Sequence, residues 1–300
     1  MARERIGHID VKSGALFVCD FGLLGAFGDE PKRARAAVEA ALTKSETEVE
    51  HEGVEAVLVS GITPGRYDVW SEPTDDDEGL RRAVTIDFVS AGKTVTTART
   101  IELGSVPVDM ARIGVMDVGA IEHWNEGEPA DGRADVVFWG LHEEEVAKRV
   151  EAPKLDDDTY GFVDLVVRDA VVIGSRLEAL RQTGELRFAF DFRPHTHPFF
   201  LLAQIRDSGN EAGVIDVGGH AMCGFMTTWG DGVFPVTLEV DAEDKPIRCT
   251  ITLATEEAIE NMRAVNEDED DDADEDADEE EDAEDEGDED EEDGGGNVLQ

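Results

Sequence analysis

The chain is poor in cysteine, in aromatic residues, in basic residues and in long apolar runs. Cys19, Cys223 and Cys249 are the only three cysteines among 300 residues. An odd number without paired spacing argues against a disulfide framework and points to a reducing, cytoplasmic setting. Lys and Arg total 26 against 72 Asp and Glu, a formal net charge of −46. Direct contact with nucleic-acid phosphates needs clustered bases, and anionic membrane surfaces repel such a chain, so neither partner is expected. The run Pro198-Phe-Phe-Leu-Leu-Ala is far too short to cross a bilayer. Asp10, Lys12 and Asp20 interrupt the N-terminal stretch, so no signal-peptide core forms. No nucleophile elbow, phosphate loop or dinucleotide glycine fingerprint is present. The glycines of GLLGAFG (22–28) have no strand–turn–helix unit around them.

What is abundant is carboxylate. Residues 267–293 hold 23 Asp or Glu among 27 positions and no Lys or Arg. Such a segment repels itself and has nothing apolar to bury, so a disordered polyacidic tail is expected over 267–300. The 72 acids less those 23 leave 49 against 26 bases, so the remainder is acidic too. A field of that sign attracts basic partners and cations, or serves solubility.

Period-two alternation dominates the rest. Val84, Ile86 and Phe88 alternate with Thr85 and Asp87, and Phe234, Val236, Leu238 and Val240 alternate with Pro235, Thr237 and Glu239. These are half-buried strands. Helices are expected over 31–44, 143–150, 175–182 and 256–265; the first has a narrow apolar face of Ala37, Val38, Ala41 and Leu42. GRYDVW at 65–70 aligns with GVFPVT at 232–237. A second phrase recurs as IDVKSG (9–14), MDVGA (116–120) and IDVGG (215–219). Repetition of both suggests two related β-rich halves. The expected class is α+β, mainly antiparallel, with few short helices. The polar stretch EAPKLDDDT (151–159) suggests a boundary, giving halves at 1–150 and 151–266 before the tail at 267–300.

SGALFVCD, PGRYDVW, IGVMDVGAIEHW and WGDGVFPVTLEVDAEDKPIRCTI occur in an order that resembles an uncharacterised bacterial family, domain of unknown function 4241. The matching positions are Ser13, Gly14, Pro64, Gly65, Tyr67, Asp117, Gly119, Gly230, Asp231, Gly232, Phe234 and Pro235. The resemblance spans most of residues 6–253. It departs at Met116, where valine is more usual, and over 140–212, which has no counterpart. It implies a β-rich bacterial domain and carries no activity.

Several residues could carry chemistry. Asp231, between two glycines, is a turn signal, and a carboxylate at a partner surface in the second reading. Trp124, Trp139 and Trp229 are candidate partner anchors, with the core as the alternative. His195, His197, His220 and Cys223 could supply a zinc site if the two-residue spacing of the first pair lies on a strand. Asp10, Asp117 and Asp216 could converge on a cation, but equivalent turns explain them more simply. Cys249 follows the inward phase of its strand. The preferred expectation is a non-enzymatic, immunity-like binding protein without a cofactor, taking a basic protein partner through its acidic surface and tail. A metal-dependent hydrolase or metalloprotein and a salt-adapted structural protein are the alternatives.

Overall fold

In the computed structural model, three antiparallel sheets carry the chain, and their strand order exposes a duplication. The structure describes residues 3–27, 31–74, 79–89, 95–156, 159–255 and 257–260. The polyacidic stretch 267–293 lies outside the described residues. So does most of the helix expected over 256–265, of which 257–260 are helical. These belong to a second unit, Ala254–Gln300, where Ile259 N–H donates to Thr255 O. The first unit is Met1–Leu253.

Its first sheet has six strands: β1 (Glu4–Val11), β5 (Gly65–Pro73), β6 (Arg81–Asp87), β16 (Pro246–Thr252), β15 (Gly232–Val240) and β7 (Arg99–Val108), in that spatial order. The second sheet also has six: β13 (Ala212–Val217), β14 (His220–Met226), β8 (Arg112–Asp117), β2 (Ala15–Asp20), β4 (Val54–Ser60) and β3 (Glu48–His51). Both orders read alike from either end under one exchange. It takes β1 to β7, β2 to β8, β3 to β13, β4 to β14, β5 to β15 and β6 to β16. The registers obey it residue by residue. Gly65 faces Val11, and Gly232 faces Val108. Val18 pairs with Val115 and Thr85 with Thr250, each on its own counterpart. The sequence alignment of Gly65 with Gly232 is therefore structural. The two related halves run over β1–β6 and β7–β16, and α1 (Pro31–Thr43) in the first has α4 (His197–Asp207) as its counterpart.

The expected boundary at 151–159 is corrected. Strands from both sides of residue 150 share both large sheets, and Met1–Leu253 is one unit. The repeats meet between β6 and β7. The described part of the stretch 151–159 lies between α2 (Glu143–Val150) and β11 (Thr159–Val166), inside an insertion, and its residues 151 and 153–155 are exposed. That insertion runs from β9 (Arg133–Trp139) to β12 (Ala189–Pro194). It forms its own sheet, ordered β10 (Lys154–Asp156), β11, β9, β12, with α2 and α3 (Val167–Gln182). The helix expected at 175–182 begins eight residues earlier, at Val167. The Val-rich start of α3 reads as strand by propensity, and packing of Ala170, Gly174 and Leu177 on one face overrides it.

Packing explains the patterns. Ile9, Val69, Val84, Ile86, Val236 and Ile251 of the first sheet meet Leu16, Val18, Val57, Val59, Ile113 and Val115 of the second. The opposite face of the second sheet, with Phe17, Leu58, Met116 and Met222, takes α1 through Ala34, Val38 and Ala41, and α4 through Leu201 and Ile205. Covered on both faces, β2 has all six residues buried and shows no alternation. Each buried large side chain such as Phe17 contributes about 1.5–3 kcal/mol.

The duplication places two buried aspartates in equivalent positions. Asp20 ends β2 and accepts N–H bonds from Gly22 at 2.7 Å and from Asp109 and Met110, both at 2.9 Å. Asp117 ends β8 and accepts from Gly119 at 2.7 Å, and from Lys12 and Ser13 at 2.6 and 2.8 Å. Each carboxylate thus holds the turn that precedes the other one's strand. Those turns end at equivalent positive-φ residues, Gly14 at 83° and Ala111 at 53°. Asp10 and Asp216 are not equivalents of Asp117. Asp10 lies in β1, paired with Arg66, and Asp216 lies in β13 and accepts from Gly219. The three do not converge on a cation; the shared phrase marks strand residues before or near turns.

Replacing Asp117 or Asp20 with alanine strands three backbone donors and is expected to cost about 2–4 kcal/mol in urea unfolding. Asp216→Ala, which frees one donor beside solvent, is expected to cost under about 1 kcal/mol.

Candidate functional site

The insertion departs from the symmetric frame, and it concentrates exposed apolar surface. One face of its sheet packs Ala134, Val136 and Phe138 on α2 and α3 through Val146, Ala147, Ala170 and Leu177. Among the described residues, strand β12 is an edge, bonded only to β9. Ten large hydrophobic residues are exposed among the described residues, and seven of them lie between 139 and 172. Trp139 ends β9 opposite Ala189, and Leu141, two residues on, is 75% exposed. Val171, Gly174, Phe190 and Phe192 line a groove of about 470 Å3 between α3 and β12.

At the root of the insertion lies His195. Its backbone N–H donates to Arg133 O and its carbonyl accepts from Ala130, so the entering and leaving chains are joined there. The ring stacks on Phe199 at 4.4 Å. Its Nδ1 is 2.9 Å from Asp131 Oδ2, and its Nε2 is 2.9 Å from Asp135 Oδ1. Burial works against a charged ring, yet the bonds to Asp131 and then Asp135 outweigh it and hold His195 above its ordinary pKa.

The structure separates the four residues expected to share a metal. Strand β12 stops at Pro194 and α4 starts at His197, with Pro198 in its first turn. His195 and His197 therefore lie on a strand end and a helix start, not on one strand face. The His197 ring stacks on Trp124 and its Nδ1 accepts the Asn125 N–H at 2.9 Å. Burial holds it below its ordinary pKa. His220 opens β14, with Nδ1 3.3 Å from Asp117 Oδ1. Cys223 is enclosed between the two large sheets, and burial pushes its thiol up to about 12. The thiol of Cys249 is likewise pushed up to about 12.

The expected anchors also divide. Trp124 is buried, its indole N–H donating to Glu126, and belongs to the core. Trp229 packs against the main core and donates to Arg81 O. Trp124 has no exposed face for a partner, and Trp229 is half-buried. Trp139 keeps an exposed face. Asp231 is exposed and accepts the Ala111 N–H at 2.8 Å, which fixes the β7–β8 turn from the neighbouring loop. The turn it shapes is that of the opposite hairpin, and not its own as expected of an acid between two glycines.

Sequence reasoning passed over a cleft of about 770 Å3 beside the first sheet. Arg3, Arg66, Lys245, Asp68, Asp87 and Trp70 line it. Its charges are largely paired. Arg3 lies 4.8 Å above the Trp70 ring and 2.5 Å from Asp87, which also takes Arg248 at 2.7 Å, and Arg66 holds Asp10 at 2.7 Å. No motif joins these positions, which come from four strands and the loops around them. Among the described residues, no helix is long and apolar enough to cross a membrane. In comparisons with known proteins, no family model, curated protein or solved structure matches the chain.

Partial burial raises the Asp87 pKa, but the Arg3 and Arg248 bonds prevail and hold it below 3.8. A depressed carboxylate stabilises the fold above its unfolded pKa, and that contribution fades as pH falls through the folded value. Asp87→Asn is expected to lose about 1–2 kcal/mol at neutral pH. The gap to the wild type should close as pH is lowered below 3.8, as followed by urea unfolding at each pH.

Proposed function

We propose that this is a non-catalytic, cytoplasmic binding protein that takes a basic protein partner, in the manner of an immunity protein. One observation carries the reading. The insertion holds seven of the ten exposed large hydrophobic residues among the described residues, Trp139 and Leu141 among them. It does so in a chain of 72 acids against 26 bases. Apolar side chains left at the surface of an otherwise acidic protein fit an interface core. A desolvated tryptophan is the usual kind of anchor. The surrounding carboxylates speed encounter with a cationic surface and reject anionic competitors.

Three further features support it. The cysteines are buried, and those of β14 and β16 are held as thiols, so they are poor nucleophiles. Ser13 donates to Asp117 at 2.9 Å. Asp117 already holds three backbone N–H groups, so this hydroxyl is tied into the turn and not set against a free base. The polyacidic stretch 267–293 adds further charge for the same partner.

The full chain is expected to capture a basic protein at low salt and to release it as salt rises. Trp139→Ala with Leu141→Ser is expected to weaken the isolated complex at least tenfold, about 1.4 kcal/mol or more by calorimetry. A chain ending at Val265 should bind more slowly and with less salt dependence. If no protein is retained at low salt, or the double substitution leaves affinity unchanged, the reading fails.

A further inference from the structure

Three carboxylates surround one imidazole at the root of the insertion, and the Arg133 guanidinium is bonded to the Asp164 carbonyl beside them. Asp131 Oδ2 lies 2.9 Å and Asp164 Oδ1 4.0 Å from the same atom, His195 Nδ1. One ligand atom from each of the three residues falls within 4.8 Å of the others. On the far side of the ring, Asp135 Oδ1 is 2.9 Å from Nε2 and also accepts the Asp164 backbone N–H at 2.8 Å. We propose that Asp131, Asp164 and His195 bind a divalent transition ion of the zinc class, with Asp135 as the carboxylate that orients the histidine.

The argument runs through the two ring nitrogens. Asp135 is the less exposed carboxylate partner, 15% against 37% for Asp131. A proton on Nε2 satisfies it. Nδ1 faces Asp131 at 2.9 Å and Asp164 at 4.0 Å, and an ion set among the three would displace the proton that bridges Nδ1 to Asp131. A second ring proton would bridge to Asp131 but not to Asp164 at 4.0 Å. A divalent ion serves all three. Tetrahedral zinc with bonds near 2.1 Å sets its ligand atoms about 3.4 Å apart, between the two separations here. One imidazole nitrogen with two carboxylate oxygens suits zinc or manganese. The carboxylate–histidine–metal relay is the usual support of such a ligand.

The centre of this cluster is an imidazole with only 6% of its side chain exposed, aimed into it and locked between Phe199 and Phe200. The ring is therefore already placed for an incoming ion. Asp164 is 72% exposed, which leaves a path for entry and room for water on the open side. Asp131 precedes β9, Asp164 lies in β11 and His195 follows β12. An ion there would pin three separate points of the insertion's root. This proposal does not rest on the binding reading above, and its test uses no partner protein.

Visible absorption on titrating Co2+ into the metal-free full chain, with Zn2+ as competitor, tests the site. The expected result is one saturable equivalent with a histidine-ligated cobalt band, displaced by Zn2+. Asp131→Asn with Asp164→Asn alters exposed side chains only, and should lose that band and bind at least tenfold more weakly. Asp135→Asn should weaken it by 10–100-fold. Weak binding by the polyacidic stretch is common to every variant and cancels. Zn2+ should raise the melting temperature of the wild type and leave that of the double variant unmoved. Metal-free unfolding midpoints of wild type and variants verify that the fold is retained. The proposal is overturned if wild type and the double variant bind Co2+ alike, or if no saturable equivalent appears.

Discussion

Two buried carboxylates hold this fold together by holding each other's neighbours. Asp20 and Asp117 each accept three backbone N–H groups, and two of the three in each case come from the turn of the opposite repeat. A charged acceptor with no access to water must be satisfied by such donors, or it destabilises the core. The arrangement therefore ties each β-hairpin turn to the central strand of the other repeat. Strands β2 and β8 then run side by side between the two clamps, with Val18 opposite Val115 at their midpoint. The sandwich and both flanking helices are built outward from that pair.

The frame is symmetric, but its chemistry is not. Around Asp117 lie Lys12, Ser13 and His220; the equivalent positions around Asp20 are Asp109, Met110 and Val54. The insertion is a larger asymmetry. It interrupts only the second repeat, between the turn after β8 and helix α4, and it has its own small core. A scaffold closed by mutual clamps can carry such an addition, because the hydrogen bonds that define it lie elsewhere. The exposed tryptophan and leucine of the insertion, and the carboxylate–imidazole cluster at its root, are both products of that addition.

Residue by residue, the sequence was informative where local rules act. The alternation of Val84, Ile86 and Phe88, the apolar stripe of α1 and the glycine alignment at 65 and 232 all reflect periodicity that burial imposes on any chain. Helix α2 was legible to its ends, Glu143 and Val150, because acids open it and bases close it. The three Ile/Met-Asp-Val phrases misled, because a short strand-plus-acid pattern recurs at non-equivalent strands. Asp20, the true counterpart of Asp117, sits in a different phrase, FVCDFG, and only strand pairing identifies it.

The sequence by itself settled the β-rich antiparallel class and the doubled plan, since alternation and repeated phrases express both. Tertiary structure alone decided where the repeats divide, which tryptophan stays at the surface and which side chains meet His195. Those outcomes depend on distant groups meeting: Trp229 reaches the Arg81 carbonyl across 148 positions at 2.6 Å, and His195 reaches Asp131 across 64 at 2.9 Å. Neither periodicity nor spacing encodes such a meeting; the pairing of strands does.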